Sequence, residues 1–223
     1  MDRDEILNQI RIATVIDSTA VSDANIVTII NNGMYEISLA SEWPWLEASE
    51  TLSAVADQQV YSLPTSFDFM VAIVDDDNDT TVPYMTPTEF FLRYGNDTGN
   101  STTTPNFYTI WEDQIYFTPI PSTNDTDRFT CYYYQTVTLL TTGGTSPAFH
   151  QAFHPILVEY AKWKLWENQE YFDQSERAFV SFARYLQQME SWYGRRAKRD
   201  PYIAGDGDWR REGDPNLPWL RQV

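Results

Sequence analysis

The spacing of apolar residues changes twice along the chain, and this change constrains the fold more than any other feature. Up to about residue 43, and again from about residue 146, apolar residues recur every three or four positions, as on one face of a helix. Between these regions, short runs rich in β-branched and aromatic residues alternate with clusters of Pro, Gly, Asn, Asp and Thr. The order predicts an α+β fold in which helices from both ends form one bundle.

Two helices are predicted in the first part of the chain. The first runs over 4–16, and the second begins after the N-cap Ser22. The second helix must end by Trp43, because Pro44 has no amide proton and disfavours helical geometry at the residue before it. Trp43 and Trp45 flank this proline, and we expect them to fill the joint between the bundle and the β-rich region.

The middle of the chain is predicted to form antiparallel strands joined by tight turns. The segment FYTIWEDQIYFTPI indicates a hairpin whose turn is Glu112-Asp113 or Asp113-Gln114. The segment RFTCYYYQTV alternates loosely, as a strand with one solvated face does. In TPTEFFLRYG, Pro87 is expected to start a short helix and Gly95 to end it.

Two further helices are predicted after the β-rich region. Ser146 is the expected N-cap of the first, with Pro147 at the first helical position. Because Pro155 interrupts this pattern, we expect a kink or a restart near His154. The last helix is expected to end at Gly194 and the basic run RRAKR, whose cations suit a helix C-terminus.

These elements divide the chain into four parts. Residues 1–49 hold the N-terminal helices of the bundle, 50–145 an inserted antiparallel β domain, and 146–198 the C-terminal helices. Residues 199–223 form an extended C-terminal tail that is too polar to build a core of its own. The predicted fold class is therefore α+β, a helical bundle with a β insertion and a docking tail.

The net charge of −17 is unevenly distributed. Residues 1–160 carry 22 acids and 4 bases, whereas residues 161–223 carry 10 acids and 11 bases. A protein that grips DNA phosphates needs a basic face, which the first two thirds of the chain cannot provide. An acidic surface keeps a protein soluble, and beside DNA it also repels the polymer and lets it slide.

The sequence predicts neither a membrane protein nor a disulfide-bonded one. No apolar stretch approaches the roughly 20 residues of a membrane span, and no export signal is visible. The single cysteine, Cys131, excludes an intramolecular disulfide and an all-cysteine metal site.

Two groups of residues have the spacing of metal ligands. His150 and His154 stand four residues apart, but the Glu that follows the first His in zinc proteases is Gln151 here, which favours packing histidines. The segment DDDNDT at 75–80 places aspartates at the first, third and fifth positions of a calcium loop. The Gly and Glu that such a loop requires at positions 6 and 12 are both Thr. We therefore predict a solvated hairpin turn here, with a weak, irregular Ca²⁺ site at Asp75–Asp79 as the alternative.

The chain offers no clear catalytic machinery. Paired carboxylates could in principle cleave glycosides, but Glu112 with Asp113, and Asp125 with Asp127, lie beside turn residues in a very acidic chain. No glycine-rich phosphate loop and no nucleophile motif is present. We therefore predict no catalytic residues, no cofactor and no enzymatic activity.

The C-terminal part contains two candidate binding elements. The basic patch comprises Arg195, Arg196, Lys198 and Arg199; it can complement a helix end, contact nucleic acid or meet an acidic surface on a neighbouring copy. The tail carries the residue types that most often anchor interfaces, and the candidate docking residues are Trp209, Arg210, Arg211, Leu217, Pro218, Trp219 and Leu220. We expect the tail to dock on another subunit; folding back onto its own bundle is the alternative.

Several segments together resemble the head-to-tail adaptor proteins of tailed bacteriophages. They are SEWPWL, VYSLPTSFDFM, WEDQIYFTPIPS and FHQAFHPILVEYAKWKLWE, and the resemblance covers roughly residues 4–190. Its motifs are the Trp-Pro-Trp helix stop, a Leu-Pro that opens the β insertion, and an aromatic-Thr-Pro-x-Pro strand end. No catalytic residues define this family.

The resemblance implies a homo-oligomeric ring, commonly of twelve copies, bound beneath the portal protein in the virion and made in the host cytoplasm. The bundle forms the body, the β insertion meets tail nozzle, tail tube or fibre proteins, and the C-terminal extension docks on the portal. Genomic DNA passes through the acidic lumen without specific binding, and no membrane takes part. The alternatives are another tail-completion or fibre-anchoring protein, or a muralytic tail-associated hydrolase.

Overall fold

The computed structural model describes residues 1–16, 19–95, 101–102 and 104–197. This part of the chain contains five α-helices: α1 Arg3–Thr14, α2 Asp23–Ala40, α3 Pro87–Arg93, α4 Pro155–Asn168 and α5 Phe172–Ala197. It contains nine strands: β1 Glu47–Ala54, β2 Val60–Ser62, β3 Phe67–Asp75, β4 Thr80–Val82, β5 Ser101–Thr102, β6 Phe107–Trp111, β7 Gln114–Thr118, β8 Ile120–Pro121 and β9 Asp125–Gln135. The α+β class predicted from the sequence is confirmed.

Local sequence signals set the boundaries of the first two helices. Asp2 and Glu5 form a capping box at the start of α1, in which each side chain binds the other residue's backbone amide. The Ser22 hydroxyl accepts from the amide of Asn25 at 3.3 Å and caps α2, as predicted. α2 ends at Ala40, before Pro44, which begins a short 3-10 turn instead.

The bundle is built around α4, which packs against α1, α2 and α5. Apolar side chains cover several faces of α4, as expected for a helix buried between neighbours. The bundle core includes Ile6, Ile10, Ile30, Met34, Ile37, Leu157, Tyr160, Phe182 and Met189. Within the described residues, no helix combines the length and the apolarity that crossing a bilayer requires.

The strands form three small sheets with a separate core. The largest has the order β1-β9-β3-β4, the second β2-β7-β6, and the third pairs β5 with β8. All pairings are antiparallel except the two-residue β5–β8 ladder. The second core contains Tyr61, Ile73, Tyr108, Ile115, Phe117, Phe129 and Cys131, and so it is distinct from the bundle core.

The predicted turns of the β region are confirmed. Glu112 and Asp113 connect β6 to β7, and both have positive φ angles, 49° and 57°, as a type I′ hairpin turn requires. The aspartates at 76–79 lie in the turn between β3 and β4. The short helix α3 begins at Pro87 and is capped by Thr86.

One predicted helix boundary is wrong, and a second is only partly right. Residues 146–150 are not helical, and α4 begins only at Pro155, because this proline cannot continue the hydrogen-bond ladder of a helix begun at Pro147. The predicted restart near His154 is confirmed. α5 continues past Gly194, but its last described residue, Ala197, does lie within the predicted basic run RRAKR. A glycine inside a helix lowers the stability of the helix by about 1 kcal/mol. The burial of Tyr193 in the bundle core stabilises the last turns of α5 by more than this.

Candidate functional site

The joint between bundle and β region is built from the Trp-Pro-Trp segment. Trp43 is only 1% exposed, and its indole Nε1 donates to the carbonyl oxygen of Ile37 at 2.5 Å. The Trp43 ring meets Tyr193 of α5 edge-on with 5.7 Å between centroids, and Trp45 packs against Phe149 at 5.5 Å. The end of α2, the last turns of α5 and the segment that leads into β1 therefore meet here.

One face of the four-stranded sheet exposes aromatic side chains. Phe69 on β3 stacks on Tyr134 of the neighbouring strand β9, with 4.6 Å between ring centroids. Tyr132 lies two residues before Tyr134, on the same face. Phe69 and Tyr132 are 42% and 47% exposed, and the Tyr134 hydroxyl donates to the carboxylate of Glu47 on β1 at 3.3 Å. We call Phe69, Tyr132 and Tyr134 the aromatic sheet face.

The sequence indicated one solvated face for β9 but did not reveal this aromatic sheet face. Tyr132, Tyr133 and Tyr134 are consecutive, so residue type alone cannot tell which of them point into the core. The pairing with β3 decides it: Tyr133 is buried opposite Met70, while Tyr132 and Tyr134 lie on the outer face. In the sequence, the residue that could have indicated this second apolar surface is Phe69, which pairs with Tyr134.

Asp75, the first residue of the possible calcium loop, is used by an internal ion pair. Its carboxylate is fully buried and accepts from Arg128 Nη2 at 2.8 Å, from Arg128 Nε at 3.3 Å and from Asn78 Nδ2 at 2.9 Å. Burial alone would raise the pKa of Asp75, but these hydrogen bonds outweigh it and hold the pKa below its ordinary value. The ion pair links β3 to β9 across the second core, and it occupies the carboxylate that a Ca²⁺ ion would need.

The neighbouring aspartates form a close carboxylate pair at the surface. A hydrogen bond with Asp125 raises the pKa of Asp77 above its ordinary value. Within the described residues, no group of three or more His, Cys, Asp or Glu side chains has the arrangement of a metal site. The Asp127 carboxylate accepts from the Thr51 hydroxyl at 3.1 Å and so supports the pairing of β1 with β9.

The histidine pair does not share a helical face, so the predicted helical spacing is wrong. His150 precedes the 3-10 turn Gln151–Phe153, and its Nδ1 accepts from the amide of Ala152 at 3.2 Å. His154 is buried, and its Nε2 lies 3.1 Å from the carbonyl oxygen of Phe149, which can only accept. Burial lowers the pKa of His154. Both histidines therefore fasten the turn that leads into α4, in agreement with the packing role favoured from the sequence.

Only part of the predicted basic patch and none of the tail lies within the described residues. Arg195 is exposed on α5, and its Nε donates to the carbonyl oxygen of Ser191 at 3.1 Å. The backbone of Arg196 belongs to the same helix. Lys198, Arg199 and the candidate docking residues Trp209, Arg210, Arg211, Leu217, Pro218, Trp219 and Leu220 lie outside the described residues.

A model of a known protein family matches most of the chain. The profile of the family described as SU10 adaptor protein covers residues 1–209 of the 223. It therefore includes the bundle, the β region and Trp209, and it ends before the LPWL segment at 217–220. No curated protein sequence matches the chain significantly.

Proposed function

The chain belongs to the SU10 adaptor protein family, and from this premise we propose that it forms a ring between the portal and the tail of a bacteriophage. The family match makes it a phage structural adaptor protein, and hence a component of the virion. The proposal adds the position of the ring, its twelve copies and its role in continuing the DNA channel. The observation that carries it is the family match over residues 1–209.

The charge distribution supports a channel role. Residues 1–160 have 22 acids and 4 bases, and one of the four bases, Arg128, is buried against Asp75. Two others, Arg3 and Arg11, form ion pairs with Asp4 and Asp23. A ring of such subunits presents mainly negative charge to DNA, so the polymer is repelled from the wall and passes without specific binding.

The two halves of the fold suit different partners. In our proposal the bundle, residues 1–49 and 146–198, forms the body of the ring, and the insertion, residues 50–145, meets tail nozzle, tail tube or fibre proteins. The aromatic sheet face belongs to the insertion, and exposed aromatic side chains are the type enriched in protein interfaces. The protein acts by binding and has no enzymatic role.

The C-terminal tail docks on the portal in this proposal. Its support is compositional: Trp209, Arg210, Arg211 and the LPWL segment are interface-anchor residue types in an otherwise polar stretch. The LPWL segment lies beyond the matched range of the family, which suits an anchor adapted to one particular portal. Tyr193 of α5 contacts Trp43, so the last described turns of α5 lie at the end of the bundle that adjoins the β region.

Binding to the portal protein of the same phage tests the proposal. Trp219→Ala is expected to weaken binding by at least about 2 kcal/mol, roughly thirtyfold, if this side chain fills a pocket on the partner. The matched control is Trp111→Ala, which removes a 48% exposed tryptophan from the β region and should leave portal binding unchanged. Equal binding by the Trp219 variant and the wild type would refute tail docking. Lysis of peptidoglycan that one carboxylate substitution abolishes would refute the structural role.

A further inference from the structure

An exposed basic stripe runs along α5. Arg177, Arg184 and Arg195 are separated by seven and eleven residues, which brings them within about 20° of one another around the helix. They span roughly 27 Å along its axis. All three are exposed, and no carboxylate of the described residues forms an ion pair with any of their guanidinium groups. Cations on one line of a chain of net charge −17, without an ion-pair partner among the described residues, suit contact with an acidic surface.

An apolar residue lies within this stripe. Val180 is 60% exposed and sits between Arg177 and Arg184 on the outer side of α5. A shallow depression with a volume of about 630 Å³ lies there. It is lined by Arg177, Val180 and Ser181, and nearer the start of the helix by Asp173 and Glu176. The stripe thus combines a central apolar contact with charged flanks, as the centre and rim of an interface do.

The other side of the bundle carries a surface of matching character. A groove of about 580 Å³ lies between α1 and α2. The half-buried side chains of Leu7 and Val27 give it an apolar floor, and Asp4, Asp23 and the cation Arg3 lie along it. Although Arg3 and Arg11 pair with these two aspartates, residues 1–42 as a whole hold seven acids and two bases.

The stripe and the groove lie on different sides of the same subunit. α4 packs against α1 and α2 as well as against α5. The buried residues of α5, such as Ala178 and Phe182, face α4, so the arginine stripe points away from it. A subunit with two complementary surfaces on different sides joins to the next copy head to tail, and such contacts close into a ring when the rotation permits.

We propose that the occupant of the α1–α2 groove is α5 of a neighbouring copy, with Val180 on Leu7 and Val27 and the arginine stripe beside the acidic residues of α1 and α2. This inference rests on the proposed ring and specifies the subunit contact within it. The contact uses the bundle alone, and so it leaves the aromatic sheet face and the C-terminal tail for other partners.

Disulfide trapping tests the contact directly. Val180→Cys and Ala24→Cys place thiols on the stripe and in the groove, at positions where the native side chains are exposed. Mixing the two variants under mild oxidation should give cross-linked dimers well above either variant alone, and the double variant should give a ladder of oligomers. The native Cys131 does not compete, because burial raises its pKa to about 12 and keeps it inaccessible. Cross-linking of Val180→Cys with itself, or no gain on mixing, would overturn the proposal.

Charge reversal provides the second test, with matched controls. Arg184→Glu should weaken self-association at least tenfold, measured by sedimentation of the full chain alone and on the portal. Arg93→Glu changes the net charge equally on α3, where Arg93 forms an exposed pair with Glu89, and should leave association unchanged. Asn8→Arg, in the groove, should restore association to the Arg184→Glu variant. If the wild type forms rings and the Arg184 and Arg93 variants associate equally well, the proposed subunit contact is refuted, but the proposed ring is not. A wild type that forms no ring, alone or on the portal, contradicts the proposed function as well.

Discussion

The two tryptophans of the Trp-Pro-Trp segment should respond oppositely to the same substitution. Both Trp43 and Trp45 pack in the bundle core, but their indole N–H groups differ. Trp43 Nε1 donates to Ile37, one of the last four carbonyls of α2, which have no partner further along the helix. Trp45 Nε1 is buried and has no hydrogen-bond partner in the described part of the chain. Phenylalanine at either position keeps an aromatic ring and removes the N–H.

The expected magnitudes follow from these contacts. Trp43→Phe removes roughly 40 Å² of buried apolar surface, worth about 1 kcal/mol, and a hydrogen bond of about 1 kcal/mol. We therefore expect a loss of about 2 kcal/mol in the free energy of unfolding. Trp45→Phe loses less surface, because its side chain is only half-buried, and it relieves an unsatisfied donor that costs about 1–3 kcal/mol. The expected change for Trp45→Phe is between zero and about 1 kcal/mol of added stability.

Urea denaturation followed by helical circular dichroism measures both values without relying on tryptophan fluorescence. The free energies of unfolding calculated from the midpoints should differ between the two variants by at least about 1.5 kcal/mol, and the denaturant slopes should be unchanged. Equal losses from both substitutions would show that the hydrogen bond to Ile37 does not contribute and that the two rings act only as apolar filling.

Two further predictions concern the cores. Asp75→Asn leaves Arg128 buried without its counter-charge and should cost about 3–5 kcal/mol near neutral pH. The pKa of Asp75 is lower in the folded than in the unfolded state. The carboxylate therefore contributes its full stabilisation above the unfolded pKa, and this stabilisation is lost as pH falls through the folded pKa. Below about pH 4, the free energy of unfolding, measured by denaturation, should therefore fall more steeply for the wild type than for the variant. In α2, Gly33→Ala places a methyl group 2.7 Å from the ring of Tyr160 and should cost about 1 kcal/mol after the gain in helix propensity. Gly194→Ala, where the described residues place no atom within 4 Å of the added methyl group, should instead raise the thermal midpoint. A stabilising Gly33→Ala would contradict the packing described for α2 on α4.

Signals confined to a few neighbouring residues were sufficient for much of the fold. Ser22 caps α2, Pro44 prevents its continuation, and Glu112-Asp113 forms the hairpin turn, because each outcome depends on backbone geometry within about four residues. The same kind of signal failed at Ser146-Pro147. There the restriction imposed by Pro155 and the packing of the intervening aromatic residues outweighed a favourable cap.

Long-range pairings were not accessible from the sequence. Asp75 and Arg128 are 53 residues apart, and nothing local distinguishes this aspartate from its exposed neighbours. The split of Tyr132 and Tyr133 between two faces of β9 likewise depends on register with β3. The arginine stripe on α5 could have been found from its spacing, but its lack of ion-pair partners is a property of the folded subunit.

The most direct test of the account is the mass of the complex between the full-length protein and the portal of the same phage, measured by native mass spectrometry. We expect a closed ring with twelve copies of this chain on each portal, and no such complex when residues 206–223 are deleted. Binding of only one or two copies per portal would contradict the proposed adaptor ring. An undiminished ring without residues 206–223 would contradict docking by the tail.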